Sequence, residues 1–172
     1  MKNILRISLI PLLALVLAAC NTDDDYEPPA SEQLQTGLQA MTSNGMQRSY
    51  YIIIPEDDTD TISASASGLK PLIVGFHGSF GSHESWIGET DRYGFVDEGG
   101  NGAIMVFPDA MELEDGQVNW NFDVDLPFFQ DLIIELDNRG IEYDKSRLYV
   151  TGHSSGAGMA SEVGCLYGDI VR

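Results

Sequence analysis

Gly152-His153-Ser154-Ser155-Gly156 is the stretch of this sequence whose residue types and spacing bear most directly on chemistry. It matches Gly-x-Ser-x-Gly, the pattern of a serine carried on a sharp turn between a strand and a helix. At such a turn the serine backbone is strained, and side chains two residues to either side would collide as strand and helix pass, which calls for Gly152 and Gly156. The turn lifts the Ser154 hydroxyl to the end of a sheet, where an imidazole can take its proton during attack on a carbonyl carbon. The same turn sets the Ser155 N–H at a helix start, aimed where a tetrahedral oxyanion would form.

A second glycine-rich stretch, Phe76-His77-Gly78-Ser79-Phe80-Gly81, follows an apolar run. In a sheet that carries such an elbow, the loop after this strand supplies the other oxyanion N–H, and Ser79 is the candidate donor through its backbone. No Gly-Lys-Ser/Thr follows the glycines, which excludes a phosphate loop. His83-Glu84 lacks a histidine three residues on, and the chain has only 3 histidines, so neither a metal nor a cofactor is expected. His77 reads as a structural residue whose ring bonds nearby backbone. Asp57-Asp58-Thr59-Asp60 lacks the glycine and distant glutamate of a calcium loop and reads as solvated acid.

The elements that must position these residues follow from pattern. Ser49 to Ile54 is β-branched and aromatic and stops at Pro55, as a strand does. Leu72 to Phe76 and Ala103 to Phe107 are unbroken apolar runs, expected of strands buried on both faces. Trp86 to Glu98 has room for a helix between them, and Glu56 to Gly68 reads as an exposed connection. Asp125 to Gly140 is the clearest helix: Asp125 as its cap, Pro127 in its first turn, Phe128, Phe129, Leu132, Ile133 and Leu136 on one face, and Gly140 as its stop. Arg147 to Thr151 is a short strand, and Ser155 to Tyr167 a helix rich in small residues. Alternating buried strands and helices give an α/β fold: a mostly parallel sheet with helices on both faces.

A 43% hydrophobic and 21% charged composition is that of a globular domain. The net charge of -18 rules out an electrostatic footprint for nucleic acid. Residues 1–20 read as an export signal, with Lys2 and Arg6 before the apolar stretch Ile7 to Leu17. Leu17-Ala18-Ala19-Cys20 resembles the bacterial lipobox, which makes Cys20 a lipidation site and the sole membrane contact. The alternative is a plain secretory signal cut beside an ordinary thiol. Residues 21–47, with Asp23-Asp24-Asp25 and Pro28-Pro29, read as tether and lead-in, and residues 48–172 as the domain. The resulting location is the cell envelope, at the outer membrane or cell surface, or otherwise periplasmic or secreted. Cys165, left without a partner, is expected to pack as a small apolar residue.

His77-Gly78, Phe107-Pro108-Asp109-Ala110, the Asp125 to Leu136 helix and Tyr149 to Gly156 together resemble the polyhydroxybutyrate depolymerase and feruloyl esterase group of the α/β-hydrolase superfamily. The likeness covers about residues 48–172. It implies hydrolysis of carboxylic esters, small or polymer-linked, through an acyl-enzyme on Ser154. Ser155 stands where many relatives have alanine, and Ser79 where they have cysteine; neither change removes a backbone N–H. Superfamily order is serine, acid, histidine, whereas residues 155–172 hold Glu162 and Asp169 and no histidine. The sequence therefore reads as the N-terminal, nucleophile-bearing part of such a domain, ending after the elbow helix, and this polypeptide is expected to lack turnover by itself. A serine peptidase of the same superfamily and a non-catalytic lipoprotein binding module are the competing readings. Trp86, Trp120, Phe80 and Phe122 either line an acyl or sugar pocket or pack as core.

Overall fold

The computed structural model describes residues 34–55, 68–92, 102–113 and 116–172. The export signal, Cys20, the tether up to residue 33, most of the 56–68 connection and the far end of the expected 86–98 helix lie outside the described residues.

The strands are β1 (Gly37–Ser43), β2 (Met46–Ile53), β3 (Leu72–Phe76), β4 (Ile104–Pro108) and β5 (Leu148–Gly152); the helices are α1 (His83–Arg92), α2 (Phe122–Asn138) and α3 (Ser155–Leu166). They form a five-stranded sheet in the order β1-β2-β4-β3-β5. β2 runs antiparallel to both neighbours, and β4, β3 and β5 are mutually parallel. All three parallel strands therefore end at one edge, so the segments after Phe76, Pro108 and Gly152 converge there. In open α/β sheets that edge is where sites form.

β1 lies within the stretch read as lead-in. It pairs with β2 through the two-residue turn Asn44-Gly45, whose φ values of 49° and 77° are those a tight hairpin needs. The sheet is apolar on both faces. Tyr50, Ile52, Leu72, Val74, Phe76, Ile104 and Val106 face α2 and α3, while Ile53, Met105 and Phe107 form a smaller cluster with Trp86 of α1.

α1 begins at His83, earlier than the apolar pattern suggests, because Asp109 accepts the His83 N–H at its start. α2 also starts early. Its cap is Asn121, whose side chain accepts from the Asp123 N–H, whereas the expected cap Asp125 lies inside the helix and is fully buried. Asp125 is drawn inward by Arg48 of β2, 2.5 Å away, and also accepts from the Asn121 N–H. Pro127 consequently falls inside α2, beyond its first turn. The helix ends as expected: Gly140 has φ 75°, its N–H bonds to Asp137 O, and Ile141 N–H bonds to Leu136 O, a paired left-handed stop. Cys165, expected to pack, is exposed. The buried face of α3 is Gly156, Met159 and Val163, and Cys165 is off that helical stripe.

Candidate active site

β5 delivers the chain straight into α3, and the one residue between them is the N-terminal boundary of the helix, Ser154, at φ 54° and ψ −119°. His153 closes the approach, its N–H bonded to Phe76 O at the end of β3. A serine in this position ordinarily turns its hydroxyl onto the helix N–H groups. Here it makes no such bond, and the residue is exposed. A non-glycine residue at this φ and ψ is strained by about 1–3 kcal/mol, strain that a fold retains where the surroundings hold it in place.

Those surroundings are the glycines. A Cβ on Gly152 would lie 2.2 Å from Gly156 O, and one on Gly156 would lie 2.1 Å from Phe76 O. The turn thus closes only without side chains at both positions, for the reason the spacing suggests. Ser155 opens α3, so its N–H is among those at a helix start that have no intrahelical acceptor.

The loop after β3 lies against this turn. A Cβ on Gly78 would come within 3.5 Å of both His153 O and Ser154 Cβ. Residues His77 to Gly81 fold back on themselves through Gly81 N–H to Gly78 O, and Phe80 N–H bonds to Val118 O. His77 holds the loop from beneath: it is 1% exposed, its Nδ1 sits 2.7 Å from Gly78 O, and its Nε2 accepts from the Ala110 N–H at 3.0 Å. A carbonyl on one nitrogen and an N–H on the other fix the neutral tautomer with the proton on Nδ1. Burial likewise pushes the imidazole below its usual value, against smaller opposing effects of Gly78 O, Asp109 and Asp125. The structural role expected of His77 is the one its ring performs.

Between loop and turn lies a cavity of about 460 Å³ lined by residues 77–81, Ser85, Trp86, His153 and Ser154. Ser79 and Ser154 are therefore brought to one cavity. Ser155, the next residue in the chain, is not among the lining residues, and its hydroxyl is buried without a protein partner. A larger hollow, about 570 Å³, sits elsewhere, against Leu34, Ile54, Lys70 and Ile141, and contains none of the chemistry-bearing residues.

Sequence reasoning missed one polar cluster. Asp109, read as a turn former, accepts from the His83 N–H at 2.7 Å, lies 2.8 Å from His83 Nδ1 and accepts from Ser49 Oγ at 2.8 Å. The pair looks like a catalytic dyad, but it sits where β2 and β4 meet, with Tyr51 stacked on His83. Its effect is to pin the start of α1, the helix that carries Trp86 to the cavity wall. Phe107-Pro108-Asp109 next to a helix-opening histidine was the available signal, separated by too much chain to read as a contact. No group of three or more metal-ligating side chains occurs among the described residues.

No protein-family model and no curated protein matches the sequence. Solved structures do match in three dimensions. The protein sOPH has a TM-score of 0.61 at 16% identity, over 83% of this chain and 51% of that one. S-formylglutathione hydrolase from Staphylococcus aureus has a TM-score of 0.58 at 16% identity, over 80% of this chain and 54% of that one. Acetyl xylan esterase from Aspergillus awamori has a TM-score of 0.54 at 18% identity, over 78% of this chain and 49% of that one. The chain has the α/β-hydrolase fold, and it spans about half the length of these structures.

Proposed function

We propose that the protein is a serine carboxylic-ester hydrolase acting through an acyl-enzyme on Ser154. The observation that carries this reading is the Ser154 backbone, held in a strained conformation with its hydroxyl uncapped and exposed beside a cavity. Two of the solved structures of like fold are named a hydrolase and an esterase, which favours ester chemistry over a bare binding role.

Ser154 Oγ attacks the ester carbonyl carbon, forming a C–O bond as its proton passes to an imidazole. The carbonyl π electrons move onto oxygen, and the N–H groups of Ser155 and Ser79 receive that charge. Collapse expels the alcohol with the proton returned from the imidazole, and water then cleaves the acyl-enzyme by the same steps, releasing the acid and restoring the serine. His77 is not that base, because both its ring nitrogens are engaged with backbone. His153 adjoins the nucleophile and its ring stacks on Trp86 instead. The reading assigns the base to a histidine, and its orienting acid, later in chain order, and residues 155–172 contain no histidine.

The finer reading is an exported esterase anchored through lipid on Cys20, acting outside the cytoplasm on polyhydroxyalkanoate-like, feruloyl or acetyl polysaccharide esters. It rests on the lipobox-like Leu17 to Cys20 and on the motifs around His77 and Ser154. The test is covalent labelling of the full-length native protein, not of residues 1–172 alone, with a small alkyl fluorophosphonate, followed by peptide mapping. Labelling at Ser154, lost in Ser154→Ala, together with hydrolysis of short-chain esters, is the expected result. An unlabelled Ser154 in the native protein would overturn it and leave the non-catalytic reading; cleavage of peptides in preference to esters would leave the peptidase.

A further inference from the structure

Four aromatic residues near the turn are separated by their surroundings. Trp120 is 7% exposed and donates its Nε1–H to His77 O at 2.7 Å, so it packs beneath the loop. The Phe122 ring lies against α3, 3.7 Å from where a Cβ on Gly158 would be. Trp86 lines the cavity, nearly buried, with its ring stacked on His153 at 6.1 Å and 15°. Phe80 lines the same cavity and is 72% exposed.

Phe80 is unfavourable twice over. Its φ of 61° lies in the left-handed region, where a bulky residue is strained, and its large apolar ring faces solvent. Glycine would remove both costs. The loop fixes the backbone through Phe80 N–H to Val118 O at 2.8 Å, which sets the point on the cavity rim from which the ring projects.

The polar side chains around the cavity indicate what the ring meets. Ser79 Oγ donates to Asn119 Oδ1, Ser85 Oγ donates to Ser82 O, and both His77 nitrogens are occupied. A sugar ring needs donors as well as acceptors beside its stacking face, and the Ser79 and Ser85 hydroxyls have already given their one hydrogen to protein oxygens. A flat apolar group needs none.

We infer that Phe80 is a specificity-determining residue, which stacks on a planar, uncharged part of the ester bound at Ser154. This rests on the esterase reading. The test compares kcat/KM of the native protein for methyl 3-phenylpropanoate against methyl propanoate, and for phenethyl acetate against ethyl acetate. In Phe80→Gly, which suits the local φ and keeps the loop folded, the aryl preference in at least one pair falls about tenfold. Phe80→Tyr retains that preference. A fall of less than threefold in both pairs, with Ser154 still labelled by the alkyl fluorophosphonate, overturns the inference and spares the esterase reading. Failure of the native protein to label overturns both.

Discussion

Gly152 approaches Gly156 so closely that a Cβ on the first would lie 2.2 Å from the carbonyl oxygen of the second. Real Cβ atoms do not approach backbone this nearly, and backbone on both sides leaves no flexible side chain to yield. Gly152→Ala and Gly156→Ala should therefore each cost about 3 kcal/mol or more of stability, the upper part of the range for overpacking. Urea unfolding followed by circular dichroism checks this. Gly158→Ala, where the nearest atom is the end of the Phe122 ring at 3.7 Å, serves as the tolerated control.

Arg48 and Asp125 form the buried charge pair of the described residues, 1% and 0% exposed at 2.5 Å. Arg48 also donates to Asp109 O and lies 3.7 Å over the Phe128 ring, so β2, the loop after β4 and α2 meet at one guanidinium. Asp125→Asn should destabilise by about 3–5 kcal/mol, because it leaves that buried cation uncompensated. Arg48→Met with Asp125→Leu should recover most of the loss. A double-mutant cycle in urea measures it, and equal losses in the single and double variants would show that packing, not charge, governs the site.

The elbow was legible because a local clash dictates it: Gly152, Ser154 and Gly156 lie within five consecutive residues, and the strand before and helix after have their own signals. β3, β4 and β5 were legible for the same reason, as short apolar runs. The hairpin of β1 is not legible, although Asn44-Gly45 marks its turn, because Leu38 and Ala40 lie on the exposed face while Gln39 and Ser43 share the more buried face with Met41, which inverts the usual alternation and leaves no apolar run. The start of α2 was misplaced because two acceptors compete four residues apart. Asn121 caps the helix, and Asp125 is taken by Arg48, a partner 77 residues away that no local pattern reveals. The Asp109–His83 contact fails to show in sequence on the same ground.

His77 gives the protein a pH dependence whose sign is fixed. Burial places the folded pKa below the unfolded value of about 6.5, so above that pH both states are neutral and the loop contacts are fully present. As pH falls below it the unfolded state binds a proton that the folded state refuses, and stability drops until the folded pKa is passed. The midpoint of urea unfolding should decline between pH 7.5 and 5.5, and His77→Asn, stable or less so overall, should flatten that decline. An unchanged slope in the variant would move the effect to other groups.

Ser154 carries the sharpest opposition between stability and chemistry. Its φ of 54° and ψ of −119° suit glycine and burden any other residue, while its hydroxyl contributes no cap to α3. Ser154→Gly should then raise stability by about 1 kcal/mol, since the relief of strain outweighs the entropy that glycine adds to the unfolded chain. Ser154→Ala removes the same hydroxyl but keeps the Cβ and the strain, so it should leave stability nearly unchanged. Both variants should abolish fluorophosphonate labelling. The pair separates two origins of the geometry: if Ser154→Gly is no more stable than Ser154→Ala, the turn holds its serine without stored strain, and the argument from backbone conformation to nucleophile loses its force.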